Sequence, residues 1–222
     1  MNYIEPEKIV TADGSETLLH PVFGQSYRSE RGAAGESSHV FITNGLAVVN
    51  KRHIRILEVG FGSGLNTLLT LRYAVLHRHI SIDYTTVEAY RISPETASEL
   101  QYVNDESFMA IHTAEWECSC RLTDRFTLTK YNEDFTRQAA SWERKLYDLV
   151  YFDAFAPDVQ PEMWDPDIFL RLHRAVVPGG IVVTYSSKGI VKRALRESGF
   201  AVERIAGALG KHHMTRATRI TR

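Results

Sequence analysis

From residue 53 onward, short apolar runs alternate with longer segments of helical period. His53–Val59 carries Ile54, Ile56, Leu57 and Val59 within seven positions and reads as a buried strand. Residues 65–77 then place Leu65, Leu68, Leu69 and Leu76 at helical spacing. Residues 80–88 are rich in β-branched side chains and read as a second strand. Ser93-Pro94-Glu95 is a helix start, with an N-cap serine and a proline in the first turn, and the helix is expected to run to about Tyr102. Residues 104–124 have no clean period and are expected to hold a further helix. A third strand is expected at 126–130, then a helix through Ala140, and a fourth strand at 147–153. Pro166–Ala175 is helical, and Pro178-Gly179-Gly180 turns into a fifth strand at 181–186. A helix at 190–198 ends at Gly199, and strands at 202–205 and 215–220 close the chain. Strands spaced by helices predict an α/β fold built on a mostly parallel, doubly wound, seven-stranded sheet.

Residues 1–50 read differently. Turn signals such as His20-Pro21 separate short extended runs, so a small β-rich extension is expected, not a long helix. Residues 38–42 are expected to form its last strand or the start of a helix. The segment is too short for a domain, so the division is an extension at 1–50 and a core domain at 51–222. In an open α/β fold that extension is expected to cover the carboxyl ends of the strands, where ligands sit.

Composition narrows the class. With 222 residues, 44% of them hydrophobic, the chain can bury one sizeable core. No apolar run approaches the roughly 20 residues of a membrane span. No basic stretch followed by an apolar one opens the chain, so a cytoplasmic location is expected. Cys118 and Cys120 are too close for an easy bridge, and no other thiols exist for a zinc site, so no metal is expected. The net charge of −1 argues against general nucleic-acid binding, but the charge is uneven. Residues 186–222 hold nine Lys or Arg against two Glu, whereas residues 1–185 hold 17 basic and 25 acidic side chains. Such asymmetry suits a phosphate-facing end on an acidic body, and equally a set of solvated faces.

The chemistry concentrates at strand ends. Glu58-Val59-Gly60-Phe61-Gly62-Ser63-Gly64-Leu65-Asn66 is a strand–loop–helix junction with three glycines at alternate positions. That arrangement holds a nucleotide-like cofactor. The dinucleotide fingerprint G-x-G-x-x-G fails, because Leu65 occupies its third glycine. A carboxylate at Glu58 repels a pyrophosphate and attracts a cation. A tight turn whose glycines serve packing alone would suit one glycine better than three. Glu88 ends the second strand, where such folds bind ribose hydroxyls. Asp134 follows the third strand and can accept from an adenine amine, although Glu133 beside it blurs the assignment. Asp153 ends the fourth strand at the head of a proline-pinned loop, placed to orient an amine and take its proton. Phe155 and Trp164 flank that loop as candidates for stacking on a planar base, with Pro157 between them. Lys211 precedes the last strand as a candidate phosphate contact. His212 and His213, being adjacent on a strand, do not chelate together.

The E-x-G-x-G-x-G loop resembles the first motif of Rossmann-like S-adenosylmethionine-dependent methyltransferases. With Phe155-Ala156-Pro157, Pro161-Glu162-Met163-Trp164, Pro178-Gly179-Gly180 and Thr184-Tyr185-Ser186, the chain resembles one family in particular, from about residue 10 to its end. This is the methyltransferase domain of the bacterial enzyme that makes 5-methylaminomethyl-2-thiouridine at the tRNA wobble position. The resemblance implies N-methylation of a base-linked primary amine in the anticodon stem-loop, with S-adenosyl-L-methionine as cofactor. It implies that Gly60, Phe61, Gly62, Gly64 and Asn66 hold the methionine part of the cofactor, with Glu58 at the loop mouth. Glu88 is implied for the ribose, Asp134 for the adenine, and Asp153 as the catalytic group facing the amine. The chain departs from the family at Glu133, where a glycine is usual, and at His212-His213. Relatives continue into a flavin-dependent oxidase, so a stand-alone transferase is expected here, served in trans by an oxidase acting upstream. The rivals are a methyl- or aminopropyltransferase of the same fold acting on a small amine, and a non-catalytic cofactor-binding module.

Overall fold

The computed structural model describes residues 3–10, 14, 16–27, 33–137, 141–207 and 213–220. Ten strands and six α-helices organise them. Strands β1 (Glu7–Val10) and β2 (Glu16–Leu19) form an antiparallel pair. Helix α1 (Ala33–Ser37) runs directly into a π-helical turn at Ser38–Thr43, so residues 38–42 resolve as helix. The core follows as β3 (His53–Val59), α2 (Leu65–Leu76), β4 (Ser81–Val87), α3 (Pro94–Ser98), α4 (Glu106–Thr113), β5 (Ser119–Thr123) and β6 (Phe126–Tyr131). It continues as β7 (Tyr147–Phe152), α5 (Pro166–Ala175), β8 (Val176–Thr184), α6 (Gly189–Glu197), β9 (Phe200–Ala206) and β10 (His213–Arg219).

The main sheet has the order β5-β6-β4-β3-β7-β8-β10-β9. Strands β6, β4, β3, β7 and β8 are parallel, while β5 and β10 run antiparallel to their neighbours. The chain runs outward from β3 through β4 to β6, then returns to β7 on the other side of β3. The carboxyl ends of β3 and β7 therefore flank the point where the strand order reverses, which is where ligands bind in such sheets.

Strand alternation sends side chains to two separate cores. Ile54, Ile56, Ile82, Tyr84, Leu128 and Tyr151 pack with Leu68 and Leu71 of α2 and Phe108 and Ile111 of α4. Leu57, Val59, Val150, Phe152 and Val182 face the other way, onto Ile168, Phe169 and Leu172 of α5 and Val191 and Leu195 of α6. No helix of the described residues is long and apolar enough to cross a membrane.

Four expectations change. The helix capped by Ser93, whose side chain accepts from Thr96 N–H, ends at Ser98 and gives way to a 3-10 turn at Gln101–Asn104. Residues 104–124 hold α4 and also β5, so the sheet has eight strands and not seven. β5 escaped notice because it is a polar edge strand with no residue fully buried. Of the helix expected after β6, the described residues 132–137 form side-chain turns instead, with a 3-10 turn at Ser141–Arg144: Asp134 Oδ1 accepts from Thr136 N–H and Oγ–H, and the Glu133 carboxylate accepts from Ser141 N–H. Such side-chain turns compete with helical bonding, and residues 138–140 lie outside the described residues. Pro178-Gly179-Gly180 sits inside β8, at a register irregularity against β7, instead of preceding the strand.

Candidate functional site

The three glycines of the loop all have positive φ, at 89° for Gly60, 51° for Gly62 and 73° for Gly64. Each also meets a different neighbour. A Cβ on Gly60 would stand 2.7 Å from the Asp153 carbonyl oxygen, on Gly62 2.7 Å from the Tyr27 ring, and on Gly64 2.9 Å from His112 Nε2. The loop is thus the point where the β7 end, the N-terminal segment and α4 converge. Backbone bonds join the neighbouring strand ends: Asp153 N–H donates to Val59 O at 3.0 Å and Gly60 N–H to Val87 O at 3.0 Å.

A cavity of about 440 Å³ opens above these ends. Gly60, Gly62, Glu88, Glu133, Asp134, Asp153 and Phe155 line it, so the strand-end candidates are brought together. Its lining includes six carboxylates, from Glu36, Glu88, Glu133, Asp134, Asp153 and Glu162, and among the described residues no Lys, Arg or His. Glu88 is buried and accepts from Gly62 N–H at 2.9 Å and Tyr90 N–H at 2.8 Å. Burial raises its pKa above the ordinary value, against the opposing pull of those backbone donors. Asp153 Oδ2 accepts from Asn66 Nδ2 at 2.9 Å, which fixes the carboxylate in the cavity wall.

The opposite wall is aromatic. Phe155 lies 4.9 Å from Phe23 and 5.4 Å from Tyr27 between ring centres, and Phe23 lies 5.4 Å from Tyr90. His20 packs behind them, 5.1 Å from Phe155 and 4.9 Å from Tyr90. Its Nδ1 accepts from Val22 N–H and Phe23 N–H, and burial lowers its pKa to about 4. A hairpin bonded His20 N–H to Gln25 O, Gly24 N–H to His20 O and Tyr27 N–H to Leu18 O carries Phe23 and Tyr27 over the strand ends. Sequence reasoning missed His20, Phe23, Tyr27, Tyr90 and Tyr185. Tyr90 had a signal, two residues after the strand-end acid. The hairpin rings had none, because nothing local marks a side chain that reaches a site by tertiary packing.

Several expected site residues stand elsewhere. Glu58 is fully buried, does not line the cavity, and accepts from Thr67 Oγ–H in the first turn of α2. Strand alternation turns it to the α2 face, so the negative potential comes from the six lining carboxylates instead. Phe61 is buried away from the cavity against His112 and Trp116. Gly64 backs onto His112, and Asn66 reaches the site only through Asp153. Trp164 is buried against Phe152 and Phe169 and donates from Nε1 to Phe155 O at 2.8 Å, holding the loop from below. Pro157 is buried and Met163 lines the cavity in place of these two. Lys211 and His212 lie outside the described residues, and His213 begins β10.

The site fits a cationic nucleoside cofactor. Gly60 and Gly62, both at positive φ, line its floor, and the buried Glu88 carboxylate beside them has acceptor capacity beyond the backbone N–H groups it already meets. Residues 96–220 match the model of a family described as S-adenosyl-L-methionine-dependent methyltransferase. The tRNA 5-methylaminomethyl-2-thiouridine biosynthesis bifunctional protein MnmC of Cupriavidus necator is 31% identical over 229 residues, covering 97% of this chain and 35% of that protein. Its Burkholderia multivorans counterpart is 30% identical over 237 residues, covering 94% of this chain and 35% of the relative. The chain thus spans about a third of the length of these curated relatives. Among solved structures, MnmC2 from Aquifex aeolicus superposes with a TM-score of 0.78 at 27% identity, covering 98% of this chain and 71% of that one. Spermidine synthase from Thermotoga maritima, at 9% identity and a TM-score of 0.57 over 99% of this chain and 82% of its own, shares the fold alone.

Proposed function

The chain belongs to the S-adenosyl-L-methionine-dependent methyltransferase family whose model spans residues 96–220, and from that premise we propose that it methylates the primary amine of 5-aminomethyl-(2-thio)uridine at the tRNA wobble position. The observation that carries the reading is the cavity's lining: six carboxylates, no basic side chain among the described residues, and an aromatic wall beside Asp153. Such a lining favours two cationic ligands, a sulfonium and an ammonium, and a planar base carrying the latter. The names of the relatives that match nearly the whole chain supply the specific substrate.

When bound, S-adenosyl-L-methionine supplies a methyl group on a positively charged sulfur. Gly60 and Gly62 would let the loop backbone approach its methionine part, Glu88 would accept from the ribose hydroxyls, and Asp134 would accept from the adenine amine. Asp153, held by Asn66, draws the proton from the substrate ammonium and leaves a neutral nitrogen lone pair; effective groups of this kind contribute about 10²–10⁴-fold. Phe23, Tyr90 and Phe155 orient the base and exclude water. Outside the cavity, Lys188, which caps the start of α6, and Arg193 and Arg196 on the helix are exposed to solvent, and Lys188 pairs with Asp158 of the β7 loop. This face meets the phosphates of the anticodon stem-loop. The reading also carries a cytoplasmic location and an oxidase acting upstream at the same wobble position.

The test is mass analysis of wobble nucleosides from tRNA bearing the aminomethyl group, after incubation with the protein and labelled S-adenosyl-L-methionine. Labelled 5-methylaminomethyl(-2-thio)uridine is expected. Label in any other nucleoside, or none in tRNA, rejects the substrate.

A further inference from the structure

Behind the glycine loop, on the side away from the cavity, rings and cations alternate in a column. Phe61 packs against His112 and Trp116 with ring centres 5.3 and 5.9 Å apart. Lys130 Nζ lies 4.9 Å from the Trp116 ring centre and 5.5 Å from that of Phe61, and the Arg91 guanidinium lies 5.2 Å from Trp116. Lys130 is buried, and its ammonium donates to Ile111 O at 2.8 Å and His112 O at 2.9 Å. Those carbonyls belong to the last turn of α4, the negative end of a helix, where a cation is stabilising. His112 is thereby fixed in place beneath the loop. Its Nε2 lies 3.2 Å from Ser63 O. A carbonyl only accepts, so Nε2 carries the proton and donates. The same ring fills the space beside Gly64, 2.9 Å from where a Cβ would stand.

We propose that His112 is a positioning residue for the cofactor: it holds the Ser63–Gly64 segment from behind and so sets the shape that the loop presents to the cavity, while Lys130 holds His112. The third glycine of the motif then exists to admit His112, not to approach the ligand. Burial first, and Lys130 second, lower the His112 pKa to about 4, so the ring remains a neutral donor at ordinary pH. The proposal rests on the reading that this loop holds the cofactor.

The test is titration of S-adenosylhomocysteine into wild type, His112→Leu and His112→Gln, together with steady-state kinetics on tRNA. Leu removes the donor, and Gln places an amide donor at about the reach of Nε2. His112→Leu is expected to weaken cofactor binding about ten-fold, as the loss of one hydrogen bond implies. His112→Gln restores most of it, and kcat at saturating cofactor and the KM for tRNA stay near wild type in both. Equal affinity in Leu and wild type overturns the proposal, as does a loss in Leu that Gln fails to restore. Wild type that binds no S-adenosylhomocysteine overturns instead the reading of the loop. Should His112→Leu not fold, the wild-type imidazole signals of His112 decide. They are expected to stay neutral down to about pH 4 and to shift on adding S-adenosylhomocysteine; a ring that titrates near its ordinary value, or does not shift, overturns the proposal.

Discussion

The two halves of the cavity are built in different ways. The half proposed for the cofactor comes from three adjacent strand ends, with Gly60 and Gly62 after β3, Glu88 after β4 and Asp134 after β6. Its contacts are largely backbone geometry: positive φ at the glycines and N–H donors to Glu88. The half proposed for the acceptor is built from rings far apart in the chain, Phe23 and Tyr27 on the hairpin, Tyr90 beyond β4 and Phe155 beyond β7. Asp153 and Tyr27 join the two, the Asp153 carbonyl lying against Gly60 and the Tyr27 ring against Gly62. A half made of turn chemistry is written in consecutive residues. A half made of packed side chains is written in contacts that no local window contains.

If that division is real, mutations separate cleanly. The largest effect is expected from Asp153→Ala, which should cut methyl transfer by about 10²-fold or more. Calorimetry should find S-adenosylhomocysteine binding intact. Activity within a few-fold of wild type removes Asp153 from its assigned role.

Next comes Gly62→Ala. Its φ of 51° and a Cβ 2.7 Å from Tyr27 make the substitution strained. Strain of about 1–3 kcal/mol weakens cofactor binding by roughly ten- to hundred-fold. The KM for tRNA should hold steady; a parallel rise would mean that the halves are not separable, because Tyr27 couples them.

Phe155→Ala is the mirror experiment. Loss of one base-stacking ring costs about 1–3 kcal/mol, so the KM for tRNA should rise by an order of magnitude or so while cofactor affinity is unchanged. A change in cofactor affinity alone would reverse the assignment of the two halves.

Smaller still is a pH effect on the acceptor side. Burial lowers the His20 pKa from 6.5 to about 4. The folded state therefore binds this proton less well than the unfolded chain, and the stability so gained is complete above pH 6.5 and lost as pH falls toward 4. Melting temperatures should decline across that window, and His20→Gln should make the decline shallower. An identical acid limb in the variant would show that His20 does not titrate there.

Most of the architecture was legible because β3 and β7 are nearly continuous buried runs and α5 is strongly amphipathic. The capped start at Ser93 was legible as well, since Ser-Pro-Glu states its own geometry, but the early stop at Ser98 was not. Polar β5 has no burial pattern to read, and the Asp134 and Glu133 side-chain turns take the place of the start of the helix expected after β6. In the site, a residue type at a strand end told where it stands along the chain but not which face it takes. Glu58, Phe61 and Trp164 all turned inward and became supports for the loops they belong to. The glycines were informative for a reason that the sequence did not disclose, since each abuts a different protein neighbour and only Gly60 and Gly62 of the three line the cavity.

The most direct measurement compares labelled methyl transfer to tRNA bearing the free wobble aminomethyl group and to the same tRNA with that amine acetylated. The account predicts transfer to the free amine and none to the blocked one. Equal labelling of both would contradict it, because the acceptor could not then be the base-linked amine that Asp153 is held to face.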